Sequence, residues 1–443
     1  MSILDKALQM LEKHPLCDHC LGRQFAMLGH SLENDERGKS IKTVLALDAH
    51  VQVISKKGKG ERILKVLAEN GFDATAKVIL QKIEKTEAES SLTKCFLCES
   101  KFEGINGFIE KALAFLADYE YSSFLVGIEL PIRVAEREDE FRAEFDVDTS
   151  ESMRNEFGRV LGKKIEGVSD KAVNFERPEI VVLCNPFTDR VWLQVNPLFV
   201  AGRYKKLVRG IPQSKWFCSS CRGKGCEKCG WTGKMYAESV EEIIEKPFLD
   251  ATESVKGFFH ASGREDIDAR MLGNGRPFVV EIVQPKKRFL NLKQMQKAVN
   301  AFGKGKVEVS NLRSADKRVV RELKRGESTQ KEYRVTVEFE GNVTDENLRF
   351  IEGKLSNVII SQKTPIRVMH RRADLTREKY IYDVKAKKLS PHKAEMKVRC
   401  AGGLYVKELV TGDEGRTTPS VSELLSIKAK PVKLDVLKVI MKD

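Results

Sequence analysis

The sequence predicts an α+β protein of several domains, and three observations carry that prediction. Strand-like runs such as PEIVVLCNP, RPFVVEIV and AEMKVRC alternate with helix-like segments such as ESMRNEFGRVLGKKI and DENLRFIEGKL. Their order suits mixed or antiparallel pairing with flanking helices rather than a doubly wound sheet. Eight of the 10 cysteines fall in C-x-x-C pairs, and 443 residues with 41% hydrophobic content supply core enough for two to four domains.

Taken in order, ILDKALQMLEK spaces apolar residues at 3, 4, 7, 8 and 11, a helical face that runs into CDHC. Helical patterns recur at 61–69 and 106–118, with the knuckle-like FLCESKF between them, so a Cys-pair accessory region is expected over 1–120. From there to 217 the run SSFLVGIELPIRV, a helix over ESMRNEFGRVLGKKI and then the strands PEIVVLCNP and VWLQVNPLFV suit a small α+β domain. A compact cysteine motif fills 218–235, and 236–443 forms the largest unit. Within it the charge-dense stretch 314–332 reads as a mobile connection or an exposed helix. Cys184 and Cys400, alone in strand-like runs, read as small core residues.

Lys+Arg 77 against Asp+Glu 64 gives a net charge of +13, which favours anionic partners and makes nucleic acid the first expectation. No apolar run is long enough to span a membrane. Asp5 and Lys6 interrupt the N-terminal stretch where a signal peptide would need an apolar core, so a cytoplasmic protein without a membrane partner is expected.

In a reducing compartment C-x-x-C pairs are metal ligands more often than disulfides. Cys218, Cys221, Cys226 and Cys229 place four thiols in twelve residues, with glycines for the knuckle turns, and fit one tetrahedral zinc site. Cys17 and Cys20 with Cys95 and Cys98 supply a second set of four. Closed four-thiolate sites leave no open coordination position, so both zinc ions are expected to be structural.

Just before the compact motif, the stretch 203–224 carries seven basic residues and no acid, among them Arg203, Lys205, Lys206 and Arg209. Tyr204 and Trp216, interleaved with them, suit base stacking while the cations meet phosphates. A second basic cluster at 367–377 includes Arg371 and Arg372. Two further stretches read either as polar turns or as chemistry. HASGREDIDARMLGNGRPF at 260–278 sets Glu265, Asp266 and Asp268 between Arg264 and Arg270, and CAGGLYVKELVTGDEGRTTPS at 400–420 reads as a hairpin or as part of a site.

These last segments carry a resemblance. GREDIDARMLGNGRPFVVEI, QKTPIRVMHRR and GGLYVKELVTGDEGRTTPSVSELL closely resemble the archaeal-type tRNA pseudouridine-54/55 synthase family, over essentially the whole chain. The resemblance implies a C-terminal pseudouridine synthase domain behind an N-terminal region with a THUMP-like RNA-binding domain at 121–217. It implies isomerisation of uridine 54, uridine 55 or both in the T-arm of tRNA, with no organic cofactor and no obligate protein partner. Asp266 takes the nucleophile position. Tyr333 looks like the tyrosine that stacks on the target base and helps take its C5 proton. Lys407 sits where the superfamily keeps a cation for the nucleophile, a lysine where many members have arginine. Val406, Leu434 and Tyr405 match positions around the flipped base, and Arg264 lies beside the nucleophile as a substrate contact. Asp268, two residues on, is expected to orient Arg264 or Arg270.

Two other classes compete. A non-catalytic, zinc-stabilised RNA-binding protein accounts for the charge and the cysteines but leaves 260–278 and 400–420 without a purpose. A methyltransferase or thiolation enzyme would need a glycine-rich nucleotide loop opening a helix, and the sequence contains neither G-x-G-x-x-G nor G-x4-G-K-[ST].

Overall fold

The computed structural model describes residues 2–56, 58–84, 93–324 and 330–440. The chain divides into two compact units, Met1–Asn196 and Pro197–Asp443. None of the described helices is long and apolar enough to cross a membrane.

The first unit packs helices and a four-stranded sheet around one continuous core that includes Met10, Leu21, Phe108, Phe124, Phe157 and Cys184. Its sheet runs in the order β2 (Ala172–Val173), β1 (Ser123–Ile128), β3 (Ile180–Asn185), β4 (Arg190–Val195), parallel except for the β3–β4 hairpin. The first helix, Ile3–Lys13, opens on a capping box in which the Ser2 hydroxyl accepts from the Asp5 N–H. Of the apolar positions expected to form its face, Ala7 and Leu11 are buried, Leu4 and Leu8 half-buried and Ile3 exposed, while Met10 joins the buried side.

The second unit is built on a ten-stranded mixed sheet, in keeping with the predicted class. Its strands are β5 (Leu198–Lys206), β6 (Lys256–Ala261), β7 (Ala269–Val283), β8 (Val307–Ala315), β9 (Gln330–Phe339), β10 (Val358–Lys363), β11 (Thr376–Ser390), β12 (Lys393–Ala401), β13 (Thr417–Thr418) and β14 (Ala429–Ile440). The spatial order is β13-β10-β11-β12-β9-β14-β7-β5-β8, with β6 also on β7. Only β14 and β7 pair in parallel, Leu434 opposite Ala269, while on its other side β14 runs antiparallel to β9 with Val436 opposite Tyr333. The last strand of the chain therefore brings the segment before β7 beside the middle of β9.

The sequence-drawn boundary at 217 moves. Residues 198–206 pair with β7 and β8, so they are sheet of the second unit rather than the end of the small α+β domain. The boundary at 120 falls inside the continuous core of the first unit. Of the charge-dense stretch 314–332, Lys317–Lys324 is a helix, exposed at Lys317, Arg318, Arg321, Glu322 and Lys324, that buries one edge, Val320 and Leu323, against Phe199, Ala201 and Val279. Residues 325–329 lie outside the described residues. Cys184 and Cys400 are fully buried, and desolvation pushes both thiols up to about 12.

Candidate functional site

The segment 262–268, between β6 and β7, is held almost carbonyl by carbonyl. Arg276 donates to Ser262 O at 2.7 Å and Gln213 to Gly263 O at 3.0 Å. The Lys206 ammonium donates to Asp266 O at 3.0 Å, to Ile267 O at 3.2 Å and to Ile211 O at 2.9 Å. Arg209 donates to Asp268 O at 2.7 Å and to Leu434 O at 2.6 Å. Below them the Glu265 carboxylate, fully buried, accepts from Tyr204 Oη at 2.9 Å and from Arg276 Nε at 2.8 Å. Gly263 has φ +77°, a left-handed conformation, and a Cβ there would meet Lys331 Nζ at 3.1 Å. With its backbone fixed, the loop has few ways left to aim the Asp266 side chain.

Two cations meet that carboxylate. Lys407 Nζ stands 3.2 Å from Asp266 Oδ2, and Arg367 Nη1 lies 3.3 Å from Oδ2 and 3.4 Å from Oδ1. Lys407 also holds both oxygens of Asp268 at 2.8 Å. The Asp268 carboxyl is held below the ordinary aspartate value: its desolvation works the other way, and the Lys407 hydrogen bond and charge prevail. Arg367 is fixed in turn by the buried Glu408, which accepts from its Nε at 2.6 Å. Arg372 donates to Tyr405 Oη at 2.7 Å, and the buried Gln362 exchanges two hydrogen bonds with the Tyr405 backbone.

Asp266, Asp268, Lys407, Arg367, Arg372 and Tyr405 all line one cavity of about 690 Å³, together with Trp216, Arg264, Tyr333 and Leu434. Val406 and Leu434 are buried in its wall. Tyr333 lines it from β9. Desolvation, with Cys400 and Asp266 nearby, pushes its phenol up, so it is a neutral hydrogen-bonding group at physiological pH. Lys331, two residues earlier on the same face, also lines the cavity and is brought down to about 8 by desolvation and by Arg276.

Several expectations need correcting. Asp268 orients neither Arg264 nor Arg270: it pairs with Lys407, while Arg270 binds Asp435 at 2.9 Å and Arg264 lies over the Trp216 ring at 5.1 Å. GGLYVKEL is not a hairpin but a turn feeding the short helix Val406–Thr411, which puts Lys407 and Glu408 in its first turn. Lys206 and Tyr204 are fully buried, so neither can meet a phosphate or a base. Arg203 donates to the carbonyls of Asn274, Gly275 and Val439, and only Lys205 of the four cations has no such structural hydrogen bond among those observed. The Arg371 side chain lies outside the described residues. Sequence reasoning missed Arg367 as a partner of Asp266, and also Glu408 and Lys331. Alternation from Tyr333 could have found Lys331, but nothing local links residue 367 to residue 266.

The cysteines assemble as two groups, Cys17 with Cys20, Cys95 and Cys98, and Cys218 with Cys221, Cys226 and Cys229. In each, all sulfurs lie within 4.8 Å of one another. An ion binding thiolates at about 2.3 Å sets neighbouring sulfurs about 3.8 Å apart in a tetrahedron. The observed pairs are 3.6 Å for Cys17–Cys98 and 3.9, 3.8 and 3.7 Å for Cys218–Cys226, Cys221–Cys229 and Cys226–Cys229. Backbone N–H groups of Gly225 and Gly233 donate to Cys221 and Cys229 at 3.2 Å, stabilising thiolates as metal sites require. Both sets fit a metal ion. In the knuckle, Gly233 has φ +70° and a Cβ there would stand 2.5 Å from Gly223 O, so the turn admits only glycine.

Comparison with known proteins adds the following. Residues 199–440 match the family "Pus10, C-terminal", and 108–185 match "Pus10 THUMP domain, archaeal". A tRNA pseudouridine synthase Pus10 from Methanocaldococcus jannaschii is 44% identical over 97% of this chain and 93% of its own length. Another from Methanothrix thermoacetophila is 40% identical over 99% of this chain and 94% of its own. Among solved structures, that of a Cbf5-Nop10-Gar1 complex aligns over 46% of each chain at 13% identity with a TM-score of 0.29, too slight a likeness to carry an argument.

Proposed function

Because the chain belongs to the Pus10 family of tRNA pseudouridine synthases, we propose that it isomerises uridine 54, uridine 55 or both in the T-arm of tRNA, with Asp266 as the nucleophile. The observation that carries this reading is the Asp266 carboxylate at the cavity wall between Lys407 at 3.2 Å and Arg367 at 3.3 Å, facing Tyr333 and Leu434.

The chemistry balances without an organic cofactor. A uridine turned out of the RNA stack enters the cavity, and the Asp266 carboxylate adds to ribose C1′ or promotes elimination there as the N1–C1′ bond breaks. The uracil, held by Tyr333 against Val406 and Leu434, rotates and rejoins C1′ through C5. The C5 proton leaves and N1 gains one. Tyr333, neutral at working pH, can accept that proton only by passing on its own, which makes it a relay rather than a free base. Lys407 and Arg367, at 3.2 and 3.3 Å, hold the carboxylate aimed into the cavity. A protein that only bound RNA would have no use for a carboxylate held by two cations inside a cavity.

Each four-cysteine set holds one zinc ion, through Cys17, Cys20, Cys95 and Cys98 and through Cys218, Cys221, Cys226 and Cys229. Zinc suits four thiolates in a closed tetrahedron, where it contributes folding energy. Elemental analysis of natively purified protein should find two zinc ions per chain, and none would refute the assignment. The function itself is tested by incubating a T-arm transcript with this protein alone and mapping pseudouridine by carbodiimide chemistry or mass spectrometry. Product at position 54 or 55 is expected. Tight RNA binding without product would instead identify a non-catalytic binder.

A further inference from the structure

The knuckle at 218–229 stands beside the catalytic cavity. Its two arms are clamped together: Met235 N donates to Trp216 O at 2.9 Å, Cys218 N donates to Gly233 O at 2.8 Å, and Phe217 bridges to Lys234. The residues at the open ends of the clamp, Trp216 and Tyr236, both line the cavity that contains Asp266. Their rings meet edge to face, centroids 5.6 Å apart at 79°. The Arg264 guanidinium, two residues from Asp266, lies 5.1 Å over the Trp216 ring. All three side chains are thus tied both to the cavity and to the metal-binding loop.

Two further observations point to a ligand. Between 215 and 236 only Cys218 and Gly233 are buried, so the loop has no apolar core and its shape depends on the four sulfurs. The same stretch carries five basic residues and one acid, Glu227, and leaves Trp231 73% and Phe217 57% exposed. Cations interleaved with aromatic rings suit a single-stranded nucleic acid, whose bases stack while its phosphates meet charge. The cavity, at about 690 Å³, is also larger than one pyrimidine nucleoside fills.

We propose that the metal-clamped knuckle is a nucleotide-binding subsite, in which Trp216, backed by Tyr236 and Arg264, stacks on the base adjacent to the uridine that enters the cavity. The proposal rests on the pseudouridylation reading and deepens it. Seating that neighbour on Trp216 sets where the next ribose C1′ stands relative to Asp266, because Arg264 and Asp266 share one rigid loop. The folding energy of the second metal site then goes into shaping a loop that positions substrate.

The test uses the full-length, metal-loaded protein and T-arm transcripts with 2-aminopurine placed 5′ or 3′ of the target uridine. Binding should quench the fluorescence at one of the two positions. Trp216→Ala should abolish that quench and weaken RNA binding on the order of 10-fold, while Trp216→Phe retains most of both. Cys226→Ser, which opens the metal set of the knuckle alone, should remove the quench as Trp216→Ala does. Should Trp216→Ala lose its metal, Arg264→Met, outside the knuckle, carries the test and must reduce the quench at full metal content. If the unaltered protein forms pseudouridine while the quench and affinity are indifferent to Trp216 and Arg264, the subsite is wrong and the function stands. If the unaltered protein forms no pseudouridine in these transcripts, both fall.

Discussion

Two stretches of this chain look alike as sequence, 203–209 and 367–377, each crowded with cations, and they do opposite things. The first turns inward: Lys206, Arg209 and Arg203 donate to main-chain carbonyls, and two of them hold the loop that carries Asp266. The second turns toward the cavity: Arg367 meets Asp266 and Glu408, and Arg372 meets Tyr405. A run of basic residues is therefore not in itself a surface for RNA. Arg203 and Lys206 are structural because β5, which carries them, sits between β7 and β8, and Arg209 is held by the carbonyls of Asp268 and Leu434 just beyond it.

The sharpest way to break this contrast is Arg367→Gln. Losing one of the two cations on Asp266 should lower the single-turnover rate about 100-fold, with the salt dependence of tRNA binding unaltered. A retained rate with a flatter salt slope would make Arg367 a phosphate contact and erase the distinction.

Lys206→Met probes the other side. It removes the donor to three carbonyls inside the second unit and should destabilise that unit by about 2 to 3 kcal/mol in urea unfolding. Unchanged stability together with weaker tRNA binding would return Lys206 to the RNA surface.

A neighbouring cluster tests the same inward use of charge by pH. Asp435, 4% exposed, pays a desolvation cost, yet Arg270, Arg334 and Arg209 bring its carboxyl down to about 2. A depressed aspartate contributes stability that is fully present above the unfolded value of about 3.9 and is lost as pH falls through the folded value. Asp435→Asn should therefore cost about 2 kcal/mol at pH 7, a difference that shrinks as the pH is taken from about 4 toward 2. A difference independent of pH would mean the arginines do not stabilise the charge.

The smallest effect is expected at Lys205. As the cation of 203–209 without a structural hydrogen bond among those observed, it can neutralise at most one phosphate, so Lys205→Ala should flatten the slope of log K against log salt by no more than about 0.9. A change well above about 0.9 would show that losing Lys205 releases other contacts with it, so that the stretch grips RNA as a unit after all.

What the sequence discloses and what it hides follow one physical line. The knuckle is legible because its four ligands lie within twelve residues, and Asp266 because its neighbours form one local motif. The pairing of Cys17 and Cys20 with Cys95 and Cys98 is legible despite the separation because C-x-x-C pairs are half-sites that need each other. The inward direction of Lys206 is hidden, since it depends on which strands flank β5, although alternation does place Tyr204 and Lys206 on one face. Arg367 on Asp266 is hidden more deeply: 101 residues separate them, and the contact exists only because the elements carrying 266 and 367 converge on one cavity.

We propose that Asp266, and not Asp268, performs the chemistry, although Lys407 touches both. Single-turnover pseudouridine formation on a T-arm transcript, at saturating enzyme, should be compared for Asp266→Asn and Asp268→Asn, with tRNA affinity measured alongside. Asp266→Asn should form no product while binding tRNA nearly as tightly as the unaltered protein, and Asp268→Asn should still turn over. An active Asp266→Asn beside an inactive Asp268→Asn would contradict the assignment.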